Sequence, residues 1–219
     1  MQIKFALAAA ALAVSGLAQS ATIDWNTWTS NATGTIASTP VTVTYSGEMS
    51  GVNPYYPYPS YGPSTTYADG VMVANAPSAS NGIILLTGGG GAGAVVDTIT
   101  FSQAVTNPVF TIWSLGQGGI NASFDFIGAT PVFVAGGPSN EYSGQAITVN
   151  GNSVYGSEGN GTVEFMGTYT SISWTNPTYE YWYGFNVGIS AVAVPEPGTV
   201  GLLLAGLTLL GLSRRRASK

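Results

Sequence analysis

Nine carboxylates carry most of the reactive chemistry in the central part of this 219-residue chain: Asp24, Glu48, Asp69, Asp97, Asp125, Glu141, Glu158, Glu164 and Glu180. No histidine or cysteine occurs, and all five basic residues (Lys4, Arg214, Arg215, Arg216 and Lys219) lie at the two ends. The body therefore holds nine of the ten acids and no base, a side-chain charge of −9, although the whole chain is only −5. Carboxylates alone suffice for one kind of catalysis. A glycoside hydrolase or lyase needs two of them, about 5 to 9 Å apart across a cleft. Glu158 and Glu164 are the nearest pair in sequence, with Glu141 and Glu180 beyond. An acidic residue in an Asn- and Gly-rich turn is ordinarily solvated, and that is the simpler reading of this pair.

The missing residues exclude more than the present ones suggest. Without Lys or Arg the body has no phosphate clamp and no counterion-releasing surface, so nucleic acid is not an expected partner. Without His or Cys there is no Ser-His-Asp triad, no thiol nucleophile and no ordinary zinc site. Schiff-base chemistry lacks its lysine. Disulfides cannot staple the domain, and no salt bridge can form inside it. Its carboxylates must be solvated, accept hydrogen bonds, take up protons or hold a hard cation such as calcium. No EF-hand spacing or Asp-rich repeat is present, so no cofactor and no metal ligands are expected. Calcium-supported folding stands as an alternative motivated by charge alone.

Aromatic residues offer a second chemistry, stacking on sugar rings. Tyr55, Tyr56, Tyr58 and Tyr61 lie in a proline-rich stretch, and Trp182 and Tyr183 lie near the end of the body. Prolines disfavour helix and central strand, so residues 51–67 read as an exposed loop with polyproline-like segments. Its tyrosines either lie flat over the domain as a cover or present an adhesive, sugar-stacking surface. The glycine-rich run at 88–93 lacks the Lys and Ser or Thr of a phosphate loop and reads as a flexible turn.

These side chains need a scaffold, and the scaffold reads as β. Short runs rich in Val, Ile, Thr, Phe and Tyr alternate with Gly, Pro, Asn and Ser. Residues 41–45, 97–101 and 171–174 alternate polar with apolar. Further runs lie at 71–73, 83–86, 109–113, 123–127, 146–149, 162–165 and 181–192. No sustained helical period appears outside the ends. The expectation is an all-β fold, an antiparallel β-sandwich of jelly-roll type over residues 21–193. Pro108 is expected to begin a strand, where its missing N–H is tolerated. Asn150-Gly151 and Asn160-Gly161 are expected as hairpin turns. Trp113 and Trp174 are expected in the core.

Both termini read as addresses. Residues 1–20 combine Lys4, an apolar core from Phe5 to Val14 and small residues after it, the pattern of a signal peptide. Ala18 and Ser20 occupy the small-residue positions, leaving Ala21 as the new terminus; an uncleaved anchor or a buried helix is the alternative. At the other end, Pro195-Glu196-Pro197 precedes an apolar segment at 198–213 and then Arg214, Arg215 and Arg216. As a helix, the fifteen residues from Gly198 to Leu212 rise about 22 Å, short of the roughly 30 Å of bilayer hydrocarbon. The arginines place the tail on the cytoplasmic side. A plain stop-transfer anchor would use these features, as would a sorting signal cut on its outer side.

The order Pro-Glu-Pro, Gly- and Leu-rich segment, arginine cluster over residues 194–216 resembles the PEP-CTERM sorting signal of Gram-negative bacteria. That resemblance implies recognition by a membrane-embedded exosortase, with processing near Pro195-Glu196-Pro197. Such proteins are exported, often in species that make extracellular polysaccharide. Pieces of the body, including VTNPVFTIWSLG, GGPSNEYSG, EGNGTVEF and SISWTNPTYEYWYGFNVG, resemble a recurring extracellular domain of PEP-CTERM proteins. That similarity supports the sandwich and implies no activity.

The reading is a non-enzymatic surface or matrix protein, sorted by an exosortase-type system and associated with extracellular polysaccharide. Its partners would be the export machinery and signal peptidase, the exosortase, the polysaccharide, and the membrane through the tail. The alternatives are a carboxylate-dependent glycoside hydrolase or lyase, and a plain single-pass anchored β-domain.

Overall fold

A computed structural model describes residues 21–53 and 60–191. Sixteen strands run through them. The first eight are β1 (Ile23–Trp25), β2 (Thr27–Trp28), β3 (Thr33–Ile36), β4 (Val41–Ser46), β5 (Gly51–Asn53), β6 (Ile83–Leu86), β7 (Val96–Thr106) and β8 (Val109–Leu115). The rest are β9 (Ala122–Ile127), β10 (Pro131–Gly136), β11 (Gln145–Ala146), β12 (Thr148–Asn150), β13 (Ser153–Gly156), β14 (Gly159–Phe165), β15 (Thr168–Thr175) and β16 (Tyr183–Ser190). Among the described residues the only helical turns are three short 3-10 segments, and none is long and apolar enough to cross a membrane. The signal segment and the sorting tail, with their expected helices, lie outside the described residues.

The strands form two eight-stranded sheets. One runs β10-β14-β8-β16-β6-β5, with β1 beside β16 and β11 beside β14. The other runs β12-β13-β9-β15-β7-β4-β3-β2. Pairing is antiparallel throughout except for β11 on β14. The all-β, antiparallel expectation holds. A jelly roll is built from eight strands in two Greek keys; here there are sixteen strands and one parallel pair, so the topology does not establish it.

One aromatic core joins the sheets. Phe110 of β8 stacks on Phe185 of β16 at 5.8 Å and meets Trp174 of β15 edge-on at 5.6 Å. Trp174 is fully buried, as expected. In the second sheet β4 alternates strictly: it buries Val41, Val43 and Tyr45 and exposes Thr42, Thr44 and Ser46. The sheet's outer face carries rows of hydroxyls over β3, β4, β7 and β15, with Asp125 of β9 further across the sheet. Thr33, Thr44, Thr100 and Ser171 pair in register across four strands, and Ser46, Thr98 and Ser173 form the next row.

The central strands of the first sheet are buried on both faces, because residues 60–82 lie across its outer side. Every residue of β8 and β14 is buried. Glycines on that side of β16 make room for the cover. A Cβ on Gly184 would overlap Ile83, and one on Gly188 would overlap Ile23. Buried Asn186 fastens the layer by donating through Nδ2 to the carbonyls of Asn26 (3.1 Å), Asn81 (3.2 Å) and Gly82 (2.9 Å).

Several local expectations change. Residues 51–67 are not wholly an exposed loop: Gly51–Asn53 pair with β6, while Tyr61 and Tyr67 are buried in the cover. No strand forms at 71–73, because Asp69 Oδ1 accepts the N–H groups of Val71, Met72 and Val73 at 2.8–2.9 Å, taking donors a ladder would need. Asn160-Gly161 is not a hairpin turn but the irregular start of β14, where the register to β8 shifts. The turn after Asn150 does form, with Gly151 at φ 59° between β12 and β13. Pro108 sits one residue before β8, and Asn107 at φ 49° makes the turn.

Candidate functional site

The site begins with a bulge. Along β8, Phe110 and Ile112 face the common core, and Val109, Thr111 and Trp113 face the cover. Ser114 takes a left-handed φ of 56°, so the pleat slips by one and Leu115 returns to the core. Trp113, outward by the same alternation as Val109 and Thr111, sits at the edge of the covered area. Trp182, one residue before β16, lies against it with ring centroids 4.9 Å apart. Tyr142 completes the group, 5.7 Å from Trp113 and 5.3 Å from Trp182.

Tyr142 is held out by a tight turn. Ser139 and Ser143 exchange backbone hydrogen bonds, and Tyr142 N–H donates to Ser139 Oγ at 3.2 Å. Trp113 is buried, Trp182 is half-buried and Tyr142 is 51 % exposed. Tyr179 and Tyr181, at 61 % and 74 %, continue the exposed aromatic surface along the chain before Trp182. Together the rings form a ledge with a buried back and an open front. Beside it, Ser60, Asn140, Glu141 and Tyr142 line a shallow cleft of about 450 Å³. Glu141 Oε1 accepts Ser60 N–H at 2.8 Å, while Glu141 Oε2 and Trp113 Nε1–H are buried with no protein partner.

Asn160 ties these parts together. Its Oδ1 accepts Ser114 N–H at 2.9 Å and Tyr67 O–H at 3.4 Å. Its Nδ2 donates to the carbonyls of Ser143 and Glu158, each at 3.2 Å. Among the described residues six non-glycine residues have positive φ, and Ser114, Ser143, Glu158 and Tyr61 are four of them. Left-handed backbone at ordinary residues costs energy and gathers where a fold needs a particular shape.

The carboxylates are arranged differently from the expected pair. Glu158 and Glu164 lie six strand residues apart, roughly 20 Å at about 3.3 Å per residue, too far for a shared glycosidic bond. Glu164 instead neighbours Asp69; burial pushes its carboxyl up and the Asp69 charge adds to this. Burial also acts on Asp69, but the three backbone N–H groups on its carboxylate outweigh it and hold it below the usual range. Glu158 accepts Ser114 Oγ–H at 2.9 Å and lies near Glu180. Burial pushes Glu180 up to about 8, against the Gly116 N–H that donates to it at 2.8 Å, and Glu158 raises it further. Glu180 is therefore largely protonated at neutral pH. Among the described residues, no group of three or more acidic side chains is placed to hold a metal.

Of the aromatic candidates, Trp182 lies on the ledge. Tyr61 does not present a stacking surface: it is buried against Tyr67 and donates to Gly82 O at 3.0 Å. Tyr183 faces the core beside Phe124 because the strand parity set by Phe185 and Val187 turns it inward. Tyr55, Tyr56 and Tyr58 lie outside the described residues, as do Ala18, Ser20, Pro195, Glu196, Pro197 and Arg214 to Arg216. Ala21, the expected mature terminus, is described and bridges Val73. Tyr142 and the role of Asn160 escaped the sequence reading. For Tyr142 the only signal was its place beside a carboxylate in the loop GGPSNEYSG, and Asn160 lay in a stretch expected as a hairpin turn.

Fold and ends together define a class: an antiparallel all-β domain with a C-terminal sorting signal. The family model of the PEP-CTERM protein-sorting motif matches residues 193–217, so the chain carries that sorting motif, as an exosortase substrate does. The motif implies export, membrane-associated processing by an exosortase, and placement at the cell surface or outside it. Comparison with curated proteins and with solved structures gives no match.

Proposed function

We propose that the β-domain is a non-enzymatic component of the cell surface or extracellular matrix that holds extracellular polysaccharide on the Trp113–Tyr142–Trp182 ledge. The ledge itself carries this reading: three rings in mutual contact, open on one side, with an unpartnered acceptor on Glu141 and an unpartnered donor on Trp113 beside them. Aromatic faces cover the C–H face of a sugar, and the polar side chains of Ser60, Asn140 and Glu141 line the cleft beside them. A body with nine acids and no base favours a neutral or amino sugar over an acidic one. Pocket walls rather than a shelf would be needed to exclude water around a bond being broken, which supports binding over cleavage.

Retention on immobilised host polysaccharide tests the reading. Wild-type protein is expected to be retained, and Trp182→Ala and Tyr142→Ala to lose at least tenfold in affinity. Equal retention of all three would remove the ledge from the interaction. Release of new reducing ends from the polysaccharide would restore the hydrolase.

A further inference from the structure

A second site lies at the end of the core where β4, β7 and the glycine-rich turn meet. Asp97 has the parity of Ile99 and Phe101, so this acid points into the sandwich and is only 1 % exposed. Its Oδ1 accepts Tyr45 O–H at 2.6 Å and Glu48 N–H at 2.7 Å. Its Oδ2 is buried and has no partner. Glu48 follows at the rim. Its Oε1 accepts Thr87 N–H and Oγ–H, and its Oε2 accepts Gly88 N–H at 2.9 Å, leaving that oxygen a free lone pair. Tyr183, fully buried, brings a hydroxyl with no partner close to Gly88.

These groups border a partly enclosed cavity of about 210 Å³, lined by Glu48, Asp97, Asn176 and the backbone of the 88–95 turn. A water occupies about 30 Å³ of liquid, so the space accommodates an ion with several waters. The turn is not loose: Gly89 and Gly91 donate to the carbonyls of Asn176 and Pro177 at 2.9 and 3.1 Å. It brings backbone to the cavity without side chains that would fill it. Burial raises Asp97 to about 6, and the Glu48 charge adds to this despite the donors from Tyr45 and Glu48 N–H. One buried and one half-buried acid meet here in a body that contains no base.

We propose that this cavity is a site for a hard divalent cation, calcium in the first instance, with Asp97 Oδ2 and Glu48 Oε2 as its anionic ligands. Calcium accepts six to eight oxygens and tolerates irregular geometry, so carbonyls and waters complete the shell. The ion would pin the 88–95 turn to β4 and β7 and compensate two of the nine body charges. The site is separate from the aromatic ledge, and the proposal does not depend on polysaccharide binding.

The test uses the full chain in detergent after EDTA treatment. Weak extracellular calcium sites have Kd of about 10⁻⁴ M, so 10 mM calcium lies roughly 100-fold above it and should raise Tm by about 5–10 °C. Asp97→Asn and Glu48→Gln should each weaken calcium binding at least tenfold by calorimetry. A readout without variants guards against their misfolding: terbium at this site should emit on excitation of Tyr45 and Tyr183, and calcium should displace it. An unmoved Tm with no calcium-displaceable terbium emission would overturn the proposal. So would calcium binding of unchanged affinity in both variants.

Discussion

Asn160 Oδ1 accepts the backbone N–H of Ser114 at 2.9 Å, linking positions 46 apart in the chain. This one bond fixes the bulge that follows Trp113 and returns Leu115 to the core, and the same amide holds the turn bearing Tyr142. A buried side chain thereby sets the shape of a surface.

Asn160→Ala should cost about 2–4 kcal/mol, since it leaves buried backbone groups without partners. Urea unfolding followed by tryptophan fluorescence measures this. Polysaccharide affinity should fall in the same variant although Asn160 lies behind the ledge. Unchanged stability would contradict the role given to the amide.

Stability should fall as pH rises from about 4.5 to about 8. Glu180 has an ordinary value of 4.5 and is raised to about 8 in the fold, so its contribution is full below 4.5 and is lost through this window. The limiting slope is about 1.4 kcal/mol per pH unit. Asp97, raised from 3.8 to about 6, acts in the same direction over a narrower range. Asp69 has the opposite sign, its stabilisation disappearing as pH falls through its lowered value. Glu180→Gln should flatten Tm between pH 6 and 8, as differential scanning calorimetry would record.

Gly184→Ala should destabilise by about 1–3 kcal/mol, because the new methyl would overlap Ile83 and lie 2.8 Å from Ile84 O. A paired Gly184→Ala, Ile83→Val variant should recover part of the loss in thermal melts. No recovery would mean that the backbone contact dominates.

The exported protein should have an intact mass lacking residues 1–20 and the segment beyond Pro195-Glu196-Pro197. Mass spectrometry of envelope and medium fractions checks both cuts. A mature chain that retains Arg214 to Lys219 would point to a plain anchor.

The fold class was legible because alternation is local. Val41 to Tyr45 and Ile99 to Phe101 state their faces in two-residue steps, and Trp174 follows the same rule. Val71 to Val73 misled, since an aspartate two positions earlier took the donors that strand pairing requires. Tyr61 and Tyr67 were half legible. Their prolines mark a non-strand segment, but only the glycines of β16, distant in sequence, show that the segment is laid onto a sheet. The candidate site was the least legible part. Trp182 could be named, but its meeting with Trp113 depends on the pairing of β16 with β8, and its meeting with Tyr142 on a turn held by distant Asn160. The sorting tail was readable because its machinery recognises order along the chain, and residues 193–217 preserve that order.

The hydroxyl array on the outer sheet divides the molecule into two halves with different responses to their medium. Rows such as Thr33, Thr44, Thr100 and Ser171 carry no ions and hold no counterion atmosphere. The opposite half gathers Glu141, Glu158, Glu164 and Glu180 around the ledge and cover. Brine and fresh water therefore look alike to these rows and different to the acidic half. A protein destined for the world outside the membrane thereby keeps a patch that stays wetted the same way whatever the salinity around it.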